Sequence, residues 1–540
     1  MGYQWPLKAA ELKAADGVEF LFEFNFAGRE FRWATTPLNI VKDDGTYVSF
    51  QGGLEVDFDN AFDLFSESPN LISQPITVIF DIDVAEMVAK GHTLFNQRGS
   101  MSIWVDGRTY EQRLVLLRGR VADPEYGAKG EPVSFSLMAN DFEDTALIPD
   151  IDQRVSLRTW SNYDEGAQGL YYPIVFGTPG VYKTGTGASA EAAGSPAYGV
   201  DLTSATTPTI LVAGHEVQAG TVNLINATQG RSADMTITKA TDALGNTVTT
   251  GAYPYSGMSS NAFVEGDELF CCWNATDGGG LLNRTRSDAL KGAGEIAIHF
   301  LELASIDLDL GRWYSIEDYL NQHFQLSGYI DEEVSPLSWL NDNVFGLLPV
   351  SMMASPEGLA PCLWRRDVTA ADALANLTAG PSCQRSDAVV YEFQELENEV
   401  RFDFALAAWS GDFQRTMTAV GIGRADTRTE LSTEYTRASH NIWGKHAVSI
   451  SSDIVYEDAT AAEILLWRTR AKALPYRVIN YFISREHAFL KAGDVITITD
   501  TELHLTDQVA LVRSVIWQEN QPLLQIVLVE DPPRDKRKQG

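Results

Sequence analysis

Leu490-Lys-Ala-Gly493-Asp494-Val-Ile-Thr-Ile-Thr-Asp500 reads as a tight turn running into a strand. Glycine tolerates the positive φ that such a turn needs, and an aspartate beside it caps the turn through its own backbone. Valine, isoleucine and threonine then alternate, as in a strand with one buried face. Upstream, Thr460-Ala-Ala-Glu463 has the form of a capping box and predicts a helix from Ile464 to about Leu474, stopped by Pro475. Arg468, Arg470 and Lys472 fall in its later turns, where cations complement the helix dipole. Strands are predicted at Arg477–Ile483, Val495–Thr499, Val509–Trp517 and Leu523–Val529. The last residues, Asp531 to Gly540, are polar and read as a loose basic tail.

Working towards the N-terminus, Glu302 to Arg437 reads as mixed α and β. Ser315-Ile-Glu-Asp318 is a weak capping box, and Ile316, Leu320 and Phe324 share one helical face. Ser335-Pro336 opens a second helix, and Thr369-x-x-Asp372 a third that ends near Gly380. Val389–Phe393 and Val400–Phe404 are strands. Residues 156–300 differ: Tyr171-Tyr-Pro-Ile-Val-Phe-Gly177 leads into a Gly/Ala/Ser stretch from Gly185 to Gly194, read as a flexible loop. Short strands follow, with a hairpin signal at Leu244-Gly245-Asn246. Residues 1–155 are mostly β. Val18-Glu-Phe20-Leu-Phe22-Glu-Phe24-Asn-Phe26 puts aromatics on one face, Gly28 marks a tight turn, and Asp106-Gly107 is a two-residue hairpin signal. One short helix fits Val84–Lys90. The chain is therefore expected to be mainly β with α+β parts, in several barrel or sandwich domains with a few short helices.

The chain has 540 residues, enough for about three or four domains. Hydrophobic residues make up 44%, so each can bury a core. No apolar run reaches the ~20 residues of a membrane-spanning helix. The N-terminus has no apolar signal region, and Pro6 breaks the myristoylation pattern. Without a secretory route, the N-x-T triplets at Asn226, Asn274, Asn283 and Asn376 are chance matches. With 73 acidic and 41 basic residues the net charge is −32, which repels nucleic acid over most of the surface. That charge fits plain solubility, and it also fits the wall of a channel that must not retain DNA. Cys271, Cys272, Cys362 and Cys383 lack any C-x₂-C run; they read as reduced thiols, with an iron–sulfur cluster as the alternative.

Catalytic motifs are incomplete. His215-Glu216-Val-Gln-Ala219 starts like a zinc-protease helix, but Ala219 stands where the second histidine is required. Gly421-Ile-Gly423-Arg-Ala-Asp426 lacks the third glycine of a dinucleotide fingerprint. Neither a phosphate-binding P-loop nor a nucleophile elbow occurs. The eight histidines (92, 215, 299, 323, 440, 446, 487, 504) are scattered; His440 and His446 flank Trp443 without metal-ligand spacing. Asp57/Asp59/Asp63, Asp81/Asp83 and Asp307/Asp309 would place carboxylates on common sheet faces, which is either a solvated face, a Ca²⁺ site or a glycosidase pair. In so acidic a chain, chance pairs are expected. No residue is assigned a catalytic, metal-binding or cofactor-binding role.

The closing order of a helix, a proline, a strand, L-x-x-G-D-x-I-x-[IL]-x-D and paired strands resembles the tail-hub and tail-tip proteins of long-tailed bacteriophages and related gene-transfer particles. Tyr171-Tyr-Pro173-Ile-Val-Phe-Gly177 resembles a P-x-x-x-G phrase found in those proteins after their first β-domain. The likeness covers residues 300–530 and, more loosely, 1–180; residues 185–300 resemble nothing familiar. It implies a tube-like β-barrel hub domain at 1–155, a second hub domain at 301–440 and a closing β-domain with one helix at 441–540, while 156–300, with its short strands and few lysines and arginines, reads from its own residues as an inserted β-rich domain. It further implies a homotrimer forming a pseudo-sixfold ring in the virion, made in the host cytoplasm. The partners would be the distal tail protein, the tape-measure protein and a central fibre or tip protein, with no specific nucleic-acid binding. The ring would be part of the DNA-ejection conduit. Trp5, Trp104, Trp160 and Trp443 are either interface anchors or core residues. A receptor- or carbohydrate-binding tail protein, acting through residues 185–300, is the alternative function. An extracellular glycosidase is a third, and it lacks the secretion signal.

Overall fold

The computed structural model describes residues 18–56, 59–60, 73–139, 147–183, 189–204, 206–273, 279–365, 367–392, 396–421, 430–487, 489–518 and 521–532. Expectations for Trp5, Asp57, Asp63, Gly423, Asp426, the 185–188 part of the glycine-rich stretch and the 533–540 tail lie outside them.

Alternating aromatics build the first sheet. Its order is Arg29–Ala34, Val18–Phe26, Arg98–Val105, Leu114–Glu125, Pro132–Ala139, Ser73–Ile79, with antiparallel neighbours throughout. Ala27 and Gly28, at φ 51° and 74°, make the two-residue turn between the first two strands, the geometry that matches strand twist. Phe22, Phe24, Phe26, Phe31, Trp33, Phe80 and Phe135 pack on the inner face. Residues 51–55 then bridge the two edges. Gln51 exchanges backbone hydrogen bonds with Arg32 and Ala34, while Glu55 exchanges them with Thr77. Trp33 Nε1 also donates to the Ile79 carbonyl across the seam at 2.9 Å. The sheet is thereby rolled nearly shut, which removes its open edges. The Asp106-Gly107 signal yields a longer connection than predicted, because a 3₁₀ turn at Tyr110–Gln112 intervenes.

A closed six-stranded barrel follows, in the order Ser195–Asp201, Thr209–Ala213, Thr247–Ala252, Arg231–Thr241, Gly220–Asn226, Leu269–Cys272 and back to the first strand. Its interior is filled by Ile210, Val212, Val222, Leu224, Met235, Ile237, Leu269 and Trp273. The predicted hairpin at Gly245 joins Arg231–Thr241 to Thr247–Ala252, and Asp242 caps it by accepting from the Leu244 and Asn246 amides. Ser189–Ala193, expected as flexible loop, is a strand paired with Gly180–Lys183. The chain leaves for the barrel after Ile174–Phe176, which pairs with Gly328–Ile330 beyond it.

Six α-helices are described: α1 (Val84–Ala89), α2 (Ala293–Leu303), α3 (Leu310–His323), α4 (Pro336–Leu340), α5 (Glu434–Trp443) and α6 (Asp458–Lys472). Helix α1 and the Ser335 cap of α4 fall where predicted. Helix α3 starts earlier than the Ser315 box. Asp309 is its N-cap, accepting from Arg312 N at 3.1 Å, and leaves Ser315 inside the helix. The Thr369–Asp372 box forms as a single 3₁₀ turn; the chain then enters the strand Ala375–Thr378 because the parallel edge of Val495–Asp500 takes its backbone groups. The Thr460–Glu463 box is not a cap. Helix α6 begins at Asp458, and the Thr460 hydroxyl bonds the Gln325 backbone instead.

Around the helices lie two more sheets. One has four strands in the order Glu430–Leu431, Asp412–Ala419, Glu399–Ala407, Ala447–Ser451. The other holds Ala375–Thr378, Val495–Asp500, Leu505–Gln518, Gln521–Leu528, Tyr476–Ile483 and Cys383–Arg385, and Val390–Glu392 and Asp59–Asn60 pair onto it. This C-terminal sheet thus gathers strands from three distant parts of the chain.

Candidate functional site

The Gly493–Asp494 turn sits where the C-terminal sheet meets the helices. Gly493 has φ +86°, and a Cβ there would come within 2.4 Å of Cys362 Sγ. The Gly493 amide donates to Val512 O at 2.8 Å, and Asp494 Oδ2 accepts from the Lys491 amide at 2.7 Å. Across the junction, the Arg312 guanidinium on α3 donates to Met353 Sδ and to Ala492 O, and lies 4.0 Å from Asp494 Oδ1. Burial raises the Asp494 carboxyl above the usual carboxylate range, with Arg312 pulling the other way. Burial likewise lowers the Lys491 ammonium. The arrangement is a clasp: one turn, one guanidinium and one thiol hold the closing sheet against α3 and the hairpin Val350–Ser355/Gly358–Leu363.

A second clasp lies near the C-terminal end of α6. Arg468 donates through Nε and Nη2 to both Glu397 carboxylate oxygens, and Lys472 Nζ lies 3.3 Å from Oε1. Arg468 is 8% exposed and Glu397 4%, so both charges depend on each other rather than on water.

The sequence's chemical candidates do not converge. His215 Nε2 accepts from Val175 N at 2.9 Å, and Nδ1 donates to Glu216 O, so the ring pins the barrel to the strand Ile174–Phe176. Asp83 caps α1, Asp81 pairs with Arg29, and Asp309 caps α3 while accepting from Ser355 Oγ. His440 lies on α5 against Gly421, and His446 Nε2 donates to the Trp443 carbonyl. The cysteines fall in four separate packing clusters: Cys271 inside the barrel, Cys272 outside it, Cys362 under Gly493 and Cys383 in the C-terminal sheet. They cannot share an iron–sulfur cluster. Burial pushes the Cys362 and Cys383 thiols up to about 12, which keeps them protonated and unreactive. Among the described residues no group of three or more His, Cys, Asp or Glu side chains could hold a metal ion. Trp104 is core, its Nε1 bonded to Arg108 O; Trp160 donates to Tyr172 OH; Trp443 is half-buried.

His215 gives a pH prediction. Burial first, and His299 as well, hold its pKa at about 4. Above pH 6.5 the ring is neutral folded and unfolded. As pH falls from about 6.5 to about 4, only the unfolded chain takes up the proton, so stability falls. The buried carboxyls of Asp331, Asp453 and Asp494 have raised pKa values and act in the opposite sense. Comparison of wild type with His215→Gln isolates the histidine. The wild-type melting temperature should fall more between pH 7 and pH 4.5 than the variant's; equal slopes would place the ring outside the buried junction.

No family model and no curated protein matches the sequence. Among solved structures, the chain is similar to a 43 kDa tail protein of prophage MuSo2 from Shewanella oneidensis, at 10% identity over 95% of this chain and 98% of that one, with a TM-score of 0.37. A tail protein from Neisseria meningitidis MC58 is similar at 9% identity, over 95% and 97%, with a TM-score of 0.36. A chain of the native gene transfer agent virion is similar at 11% identity, over 72% and 90%, with a TM-score of 0.34.

Proposed function

We propose that this chain is a structural protein of a virion tail, the hub of a tail tip or baseplate, and that it acts by assembly rather than catalysis. The observation that carries the reading is the closing unit. The segment that resembles the hub proteins folds around a Gly493–Asp494 turn whose polar groups are spent on holding the C-terminal sheet to the helices. That is the use a scaffold makes of charge, and Asp83, Asp309 and His215 are spent likewise on two caps and a pin. In this reading three copies form a ring around the conduit. The distal tail and tape-measure proteins lie on one side and a central fibre or tip protein on the other. The −32 charge keeps DNA from adhering to the wall. Residues 1–155 and 301–440 are the two hub domains of each copy, 156–300 is an insertion and 441–540 closes the unit.

Receptor or carbohydrate binding remains the second reading for the inserted region. The barrel interior is packed with apolar side chains, so such binding would use its outer surface. Gold-labelled antibody against the purified chain should decorate one end of the tail on intact particles. Labelling along the whole tail, or of the capsid, would refute the hub.

A further inference from the structure

Part of the outer face of the first sheet is covered by a hairpin, and Arg98 and Arg118 on that face are exposed. The hairpin Leu38–Val41/Tyr47–Phe50 seals Leu21 and Trp104 there. Beyond the hairpin the face carries three arginines. Arg98 lies directly opposite Arg120 across the Arg98–Val105/Leu114–Glu125 pair, and Arg118 lies opposite Ser100. Opposed residues of an antiparallel pair share a face, so all three guanidinium groups project from the same side. The opposite face is core, with Met101, Leu117 and Val121. Spacing is about 5 Å across the strands and about 7 Å along them.

These arginines have no acidic partner among the described residues. Arg120 donates to Asn96 O and Oδ1. The nearest carboxylate on the face, that of Glu23 opposite Ser100, is already held by Arg32, Arg113 and Tyr110. Like charges placed opposite one another destabilise a sheet. A basic cluster with no acidic partner among the described residues is unexpected in a chain with 73 acids to 41 bases. Met138, 37% exposed, lies opposite Arg120 on the next strand, and Phe95, 58% exposed, directly precedes Asn96, to which Arg120 donates. Arginine, aromatic and methionine side chains together are the composition of a protein interface core.

We propose that this face docks an extended acidic segment of a partner protein, with carboxylates two residues apart. That spacing in an extended chain is about 7 Å, the distance from Arg118 to the Arg98/Arg120 pair. Each guanidinium takes a carboxylate through paired N–H donors, while Phe95 and Met138 take apolar side chains of the same segment. The apolar flank favours protein over nucleic acid, which the overall charge repels. At physiological salt the Debye length is about 8 Å, so the patch attracts a short acidic segment despite the acidic surface beyond it. The inference stands independently of the tail reading.

The test uses the full chain and a fluorescein-labelled peptide alternating aspartate with leucine, followed by fluorescence anisotropy at physiological salt. Binding is expected, weakened by about tenfold or more in Arg98→Gln/Arg118→Gln and severalfold in Phe95→Ala. The replaced side chains are exposed, so the melting temperature of each variant should match wild type and exclude misfolding. An asparagine version of the peptide should not bind, and a thymidine oligonucleotide of equal charge should not compete. No binding by wild type, unchanged binding by the double variant, or equal competition by the oligonucleotide overturns the proposal. So does a fall in the mass of the free chain on Arg98→Gln/Arg118→Gln, which would make the occupant a second copy.

Discussion

Replacement of Arg468 with alanine should destabilise the chain by about 3–5 kcal/mol, because it leaves the Glu397 carboxylate buried without its main partner. Glu397 is 4% exposed and accepts from two nitrogens of Arg468. Lys472, at 3.3 Å, offers one further contact and cannot replace a bidentate pair. The comparison that separates charge from packing is Glu397→Leu/Arg468→Met. Exchange of a buried pair for apolar side chains of similar volume is often nearly neutral. The double variant should therefore unfold at a urea concentration close to wild type, and Arg468→Ala at a much lower one. An alanine variant as stable as wild type would mean that Glu397 is reached by water.

Gly493→Ala should cost about 2–5 kcal/mol by two separable routes. A non-glycine residue in the left-handed region is strained by about 1–2 kcal/mol. The added methyl would also meet Cys362 Sγ at 2.4 Å, and such overpacking costs about 1–3 kcal/mol. In a Cys362→Ala background the second part should vanish, so that Gly493→Ala costs only the strain. Chemical denaturation of the four proteins gives a double-mutant cycle. A coupling near zero would show that the turn does not press on the thiol, and the clasp would be wrong at its centre.

These two clasps were unequally legible in the sequence. Gly493-Asp494 announced its turn through residue type alone, since positive φ and a local cap are properties of the residues themselves. That the turn rests on Cys362 and faces Arg312 was not legible, because both are distant in sequence. In sequence Arg468 reads as a cation complementing the helix dipole; its partner, Glu397, lies before the four-stranded sheet, where spacing carries no signal.

Helices show the same division. The helices that begin at Val84 and Pro336 carry local caps, Asp83 and Ser335, and lie where the sequence predicts them. Helix α2 carries no local start signal, because Gly292 supplies no side-chain cap. Its first amides, of Gly294 and Glu295, are satisfied by Asn321 Oδ1 of α3. At Thr460 a local box was overruled, since its hydroxyl serves the Gln325 backbone. Helix α5 is likewise weakly signalled, although Thr433 caps it; its first-turn partner, Thr436, is not the Glu or Gln of the usual box. In the first sheet the aromatic alternation was readable directly. Its near closure was not, because residues 51–55 bridge edges that are far apart in sequence.

The most direct test of a ring-forming hub is the mass of the purified chain in solution, by light scattering at near-physiological salt across a range of concentrations. A hub predicts three times 59.4 kDa. A chain that stays monomeric over the whole range would contradict it and leave the receptor-binding reading in its place.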